Sequence, residues 1–286
     1  MLRFQSGRFA QRRLQESRVV SKVELPSKVH AAVQPEPKPE INWSAEFSRF
    51  WDVPTVEVVT AHPKIAYVNI FSPYYTCSSS NRQLELDACV KWNSKVPGVK
   101  LFLVVDRDCS VLPTENVTVI RRDTNGRIKY QEILDYIRKH TADDEINCII
   151  NSDIIIDVDF TEKLHVGRGD AMCLTRHEID FKKINVRDIS PLTLRNAIYN
   201  APENPGSQDL WLFVGHINDV TLDFYMGIPG CDNLTSLEFY NKGYRLFNPA
   251  TSQRIYHIHS VHNDQKSYPF TYFNLPEFKI CLIQIA

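Results

Sequence analysis

The chain is poor in glycine, with ten in 286 residues. None of them builds the G-x-G-x-x-G turn of a dinucleotide fold or the glycine–lysine loop of a P-loop. Phosphate, if it is bound, must then be gripped by side chains or metal rather than by a glycine cradle. No run of about 18 apolar residues occurs, so no membrane-spanning helix is expected. Charge of one sign is also missing: 33 basic residues stand against 34 acidic ones, a net of −1. Bulk electrostatics therefore give no support for a polyanion as the main partner. The opening residues, Met1 to Arg8, lack the apolar core of a secretory signal. The seven cysteines (77, 89, 109, 148, 173, 231 and 281) are odd in number and have no metal-finger spacing. Several sit in apolar runs such as 146–150 and 171–174. Reduced, mostly buried thiols and a cytoplasmic location are expected.

What is present is the composition of a globular protein, 43% hydrophobic and 23% charged. The length suits one large domain or two small ones. Residues 1–30 carry Arg3, Arg8, Arg12, Arg13, Arg18, Lys22 and Lys28 against only Glu16 and Glu24. Alternating prolines from Gln34 to Glu40 then fix an extended linker. The expected boundaries are a basic arm and linker over 1–44 and one folded domain over 45–286.

From residue 64 the pattern alternates. Apolar runs predict strands at 65–71, 100–105, 117–120, 146–150 and 171–175. Helices are predicted over 81–94, with Leu84, Ala88, Cys89 and Trp92 on one face, and over 129–140, with Tyr130, Ile133, Leu134 and Ile137 on one face. Strands separated by helices imply parallel crossovers. The fold class is α/β: a single Rossmann-like domain with a mostly parallel sheet covered by helices on both faces.

In such a sheet, ligands bind at the carboxyl ends of the strands. Phe71 closes the first predicted strand and Ser72 follows it, Asp106 follows the second, and Asn151, Ser152 and Asp153 follow the fourth. Asp157 and Asp159 read as surface residues of the next turn. Carboxylates at strand ends suit a hard divalent cation, which can bridge phosphate oxygens.

The strand followed by Asn151-Ser152-Asp153-Ile154 resembles the acidic metal signature, D-x-D or N-x-D, of A-type (GT-A) nucleotide-sugar-dependent glycosyltransferases. Later segments follow the same order: Ser207 to Phe213, Gly227 to Asn233, and Asn248-Pro249-Ala250 leading to Tyr256-His257-Ile258-His259. The resemblance spans roughly residues 64–262. It departs at Asn151, where the commoner motif has aspartate, leaving Asp153 as the main carboxylate.

The resemblance implies Mn²⁺ or Mg²⁺ at Asp153, with a late histidine completing the shell. His259 is preferred; His257 shares its face at strand period, and His262 is a third candidate. Donor contacts are expected from Phe71, Ser72, Arg82, Asp106, Arg127, Asn151, Ser152 and Gln208. Asp209 would face the transferred sugar; in an inverting reaction Asp232 or Asp209 would take the acceptor proton, whereas a retaining one requires no such base. The implied partners are a nucleotide-diphosphate sugar and a hydroxyl acceptor: a glycan, a small molecule, or nucleic acid reached through residues 1–30. Plainer roles compete. Asp153 and Asp106 suit turns, Tyr130 and Phe213 suit a core, and Asp232 suits the N-cap of a helix begun by Leu234 and Leu237 and stopped at Gly243. Two other functions stay open. A nucleotidyltransferase of related fold would need a glycine-rich basic loop that Ser72 to Ser78 does not supply. A catalytically silent nucleotide-sugar-binding module would not turn over.

Overall fold

A computed structural model describes residues 67–111, 114–200 and 207–260. The expected arm and linker, docking of nucleic acid on residues 1–30, Cys281 and His262 lie outside them. The first half runs β1 (Val68–Tyr74), α1 (Ser80–Asn93), β2 (Val99–Val105), β3 (Val117–Arg121), α2 (Tyr130–His140) and β4 (Ile146–Ile150). The second half runs β5 (Ile154–Ile156), β6 (Asp170–Leu174), β7 (His177–Ile179), α3 (Pro191–Ala197), β8 (Ile198–Asn200), β9 (Leu210–Val214), α4 (Cys231–Asn241), β10 (Arg245–Phe247) and β11 (Ile255–His257).

Seven strands form the main sheet in the order β10-β6-β9-β4-β1-β2-β3. Pairing is parallel except where β9 lies antiparallel between β4 and β6. The α/β class with a mostly parallel sheet is therefore the one observed. Alternation along each strand explains the two layers. Leu210 and Leu212 of β9, with Leu101 and Leu103 of β2 and Cys148 and Ile150 of β4, enter one buried cluster shared with Leu86 and Val90 of α1. Trp211 and Phe213 point the other way. Trp211 stacks edge-on against Tyr130 of α2, and Phe213 lies against Phe239 of α4. Helices thus cover both faces, and the central strands are mostly apolar on both sides; Asn69 of β1 and Asn147 of β4, both buried, pair with each other at 3.4 Å.

Four further strands pair as β5-β11-β7-β8 in a second small sheet, which the sequence pattern did not reveal. Three-residue strands are too short to show a period. This sheet also changes how α1 packs. Its buried residues are Glu85, Leu86, Cys89, Val90 and Asn93; of the stripe expected through Leu84, Ala88, Cys89 and Trp92, Cys89 is fully buried and the other three are half-buried. The helix lies beside β5 and must satisfy its backbone: Asn93 donates to the Ile154 carbonyl at 2.8 Å and accepts from the Ile156 amide at 3.1 Å. Buried polar groups persist where they are paired, so a polar residue here belongs to the inner face.

Two other expectations are corrected. β1 ends at Tyr74, three residues later than predicted, because Pro73 is tolerated inside it. β4 pairs only as far as Phe71, so the missing N–H of Pro73 faces no partner on that side. Asp157 is a buried residue, not a surface one. It accepts from the Tyr256 hydroxyl at 2.9 Å and from Arg195 at 3.1 and 3.2 Å, anchoring β11 and α3 to the turn after β5. Burial pushes its carboxyl up, but those donors outweigh it and hold the carboxyl below its usual range. The six described cysteines are free thiols, all buried except the half-exposed Cys77. Among the described residues, no helix is long and apolar enough to cross a membrane.

Candidate functional site

The carboxyl edge of β4 carries the turn Asn151-Ser152-Asp153, closed by the Ile154 amide on the Asn151 carbonyl at 3.3 Å. The segment that meets it is fixed by register. β11 runs antiparallel to β5 with His257 opposite Ile154, and the Ile258 amide continues onto the Asp153 carbonyl at 2.8 Å. Side chains two apart share a face, so His257 and His259 both turn toward Asp153. Nε2 of His257 lies 3.4 Å, and Nδ1 of His259 3.9 Å, from Oδ2 of Asp153. One ligand atom from each of the three residues falls within 4.8 Å of the others, so the set could hold a metal ion.

Arg82, near the start of α1, joins the same carboxylate. Its Nη2 lies 2.5 Å from Oδ2 of Asp153, and its Nη1 donates to Glu85 at 2.9 Å and to the Ile258 carbonyl at 3.0 Å. Glu85 also accepts from the Ser260 amide at 2.9 Å. Burial disfavours ionisation of Asp153, but the hydrogen bond and charge of His257 and the Arg82 guanidinium outweigh it and hold the carboxyl far below its usual range. Burial pulls the His257 imidazole down, yet its bonds to Asp153 and Glu178 raise it to about 9. His259 moves the other way, lowered by burial and by Arg82. Tyr75, beside Arg82, is raised by burial, with the guanidinium countering part of the shift.

A second acidic group sits one strand across. β9 enters antiparallel, so its first residues lie at the carboxyl edge of β4; the Asn151 amide donates to the Asp209 carbonyl at 3.0 Å. The Asp209 carboxylate accepts from Asn151 at 2.8 Å and from Arg176 at 2.9 and 3.1 Å. Asp232 approaches from α4 and accepts from the Gln208 amide at 3.3 Å. It is not the N-cap. Gly230 caps α4 in the left-handed region at φ 87°, which glycine adopts without strain, and Asp232 stands in the first turn. Burial first, and then the Asp209 charge, push its carboxyl up to about 6.

The other expected residues fall in different places. Phe71 is wholly buried inside β1, its ring stacked on Phe102 at 4.5 Å, and Ser72 is also buried. Ser152 stays half-buried in the β4 turn. Asp106 follows β2 but is occupied by Arg122 at 2.7 Å and by the Gly126 amide at 3.1 Å, which shapes the loop after β3. Arg127 donates to the carbonyls of Met226 and Gly227 at 3.1 and 2.7 Å, tying that loop to the approach of α4. The Gln208 side chain is buried and accepts from Ser236 at 3.1 Å. Trp211 and Phe213 are fully buried, so neither ring faces a ligand. Clefts of about 340 and 640 Å³ flank α1, and no residue of the Asp153 cluster lines either of them.

Sequence reasoning missed Arg176 and Glu178. Arg176 follows the fifth apolar run, so the strand-end rule could have found it. Glu178 lies on β7, opposite His257 in the small sheet, and nothing in the sequence marked that register.

No family model and no curated protein matches this sequence. The chain is similar to glycosyltransferases of known structure. One is the mannosyltransferase PcManGT from Pyrobaculum calidifontis, in complex with GDP-Man and Mn²⁺, at 15% identity and TM-score 0.38 over 72% of this chain and 61% of that one. Another is the catalytic domain of Drosophila β1,4-galactosyltransferase 7, in complex with xylobiose, at 8% identity and TM-score 0.40 over 73% and 77%. A third is S. aureus TarS, at 14% identity and TM-score 0.37 over 68% and 37%. The chain thus spans less than two thirds of PcManGT and of TarS. These likenesses assign no residue a role.

Proposed function

We propose that this chain is a glycosyltransferase that takes a nucleotide-diphosphate sugar, with a divalent metal, and passes the sugar to a hydroxyl acceptor. The observation that carries the proposal is the meeting of Asp153, His257 and His259 at the carboxyl edge of a mostly parallel sheet. The donor chemistry fits a divalent ion: one carboxylate oxygen and two imidazole nitrogens, with Glu178 against the far nitrogen of His257. Two imidazoles suit Mn²⁺ better than Mg²⁺, which prefers an all-oxygen shell. Bound there, the ion would supply positive charge against a departing diphosphate.

The chain's own residues divide the remaining work. Arg82 places a second cation beside Asp153, where a guanidinium fork suits phosphate oxygens. Asp209 is clamped by Arg176 and Asn151, so it serves to position the sugar rather than to accept a proton. Asp232 is the better base: among the described residues its carboxyl accepts backbone hydrogen bonds rather than a charged clamp, and its raised affinity for protons suits proton transfer near neutral pH.

The test is a melting screen of the full chain with UDP-, GDP-, dTDP- and CMP-sugars, with and without Mn²⁺. One donor class is expected to raise Tm in the presence of Mn²⁺ only, and that donor to be turned over. No shift with any donor, or an equal shift in chelator, would retire the reading. A metal-dependent shift without turnover would point to the silent binding module.

A further inference from the structure

The fold commits the two ring nitrogens of His257 to different neighbours. Nδ1 lies 3.0 Å from Oε2 of Glu178, while Nε2 faces Oδ2 of Asp153 at 3.4 Å. An ionised carboxylate only accepts, so the proton shared with Glu178 belongs to Nδ1. Glu178 is itself gripped from behind: its Oε1 accepts from Nε of Arg176 at 2.6 Å. The Nη1 of the same guanidinium reaches both oxygens of Asp209, at 2.9 and 3.1 Å. Asp153, His257, Glu178, Arg176 and Asp209 therefore form one unbroken relay, assembled from four separate stretches of the chain.

The small sheet does not need these charges to form. β7 and β11 already pair through their backbones, with Tyr256 opposite His177 and His257 opposite Glu178. Half-burying a carboxylate and a guanidinium costs free energy that apolar side chains would not demand. The arrangement gains a reason if the imidazole must be held in one orientation.

We infer that Glu178 is a positioning residue of the metal centre: held by Arg176, it fixes His257 with the proton on Nδ1 and Nε2 turned to a divalent ion. The inference rests on the metal reading proposed above, and the experiment separates the two.

Mn²⁺ alone is titrated into the full chain, and the free ion is followed by its electron paramagnetic resonance signal. Four proteins are compared: wild type, Asp153→Asn, Glu178→Ala and Glu178→Gln. Melting of each in excess chelator reports a merely structural role. Wild type is expected to bind and Asp153→Asn to lose binding. Glu178→Ala should bind about 10- to 100-fold more weakly, the usual effect of losing such a partner. Glu178→Gln, whose amide oxygen still accepts from Nδ1, should stay close to wild type. Wild-type affinity in Glu178→Ala, with binding lost in Asp153→Asn, overturns the positioning role and leaves the metal reading standing. An equal loss in the Ala and Gln variants also overturns it. No binding by wild type, or equal binding by all four, removes both. Should Glu178→Ala fail to fold, long-range ¹H–¹⁵N spectra of the Zn²⁺-loaded wild type decide: a proton on Nδ1 of His257 is expected, and a proton on Nε2 overturns the inference.

Discussion

Two carboxylates at one sheet edge meet opposite fates. Asp153 is surrounded by Arg82, His257 and His259, and stays ionised despite burial. Asp232 is half-buried beside another carboxylate, Asp209, and is pushed up to about 6. Burial acts on both in the same direction, so the neighbouring charge decides the outcome. A carboxylate kept ionised can hold a cation; one raised toward neutrality can accept and return a proton. Environments that push two carboxyl groups apart assign them different work.

Three variants can break or sharpen this contrast. Asp153→Ala is expected to have the largest effect. It should lower turnover about 10²–10³-fold, by analogy with removing one group that stabilises developing charge, and abolish the Mn²⁺-dependent rise in Tm. Turnover near wild type, measured with the donor found by the screen, would place the metal elsewhere.

Asp232→Asn comes next, with a loss of about 10²-fold in kcat and donor binding retained. Its pH profile carries the sign. The wild-type rate should fall as pH drops through about 6, where the raised carboxyl takes up a proton. Stability should move the opposite way. Because the folded pKa is raised, the unfolded chain releases this proton first, between the ordinary aspartate range near 4 and about 6, and ionisation works against the fold above that window. At pH 7 the asparagine variant should therefore melt higher, by about 1–2 kcal/mol after allowance for solvent screening. A variant that melts lower and keeps its turnover would make Asp232 a helix-stabilising residue only.

Tyr256→Phe tests the scaffold behind the Asp153 side and should have the smallest effect. It removes the hydroxyl that meets Asp157 at 2.9 Å, while Arg195 still pairs that carboxylate. The expected loss is about 1 kcal/mol in chemical denaturation, with Mn²⁺ affinity unchanged. A fall in Mn²⁺ affinity instead would show that the small sheet transmits its packing to the cluster.

Much of the main sheet was legible because its strands are continuous apolar runs and its helices are separate segments. The α2 pattern of Tyr130, Ile133, Leu134 and Ile137 corresponds to the four residues buried in that helix. The α1 face was misread because Glu85 and Asn93 go inward to satisfy backbone and loop groups, against the rule that polar residues face water. In the candidate site, Asp153 was reached by the strand-end rule, and the shared face of His257 and His259 by strand period. The neighbours of each could not be read. Arg176 and Glu178 gain their importance from pairings with Asp209 and His257 that are 33 and 79 residues distant along the chain.

The sequence alone determined the fold class and the strand ends on which carboxylates stand, because hydrophobic period and strand termination are local properties of the chain. Only the tertiary structure decided which of those carboxylates lies among cations and which lies beside another acid. That choice depends on the register of β5, β7 and β11 and on the antiparallel entry of β9. Charge acts through space, over distances that sequence separation does not measure.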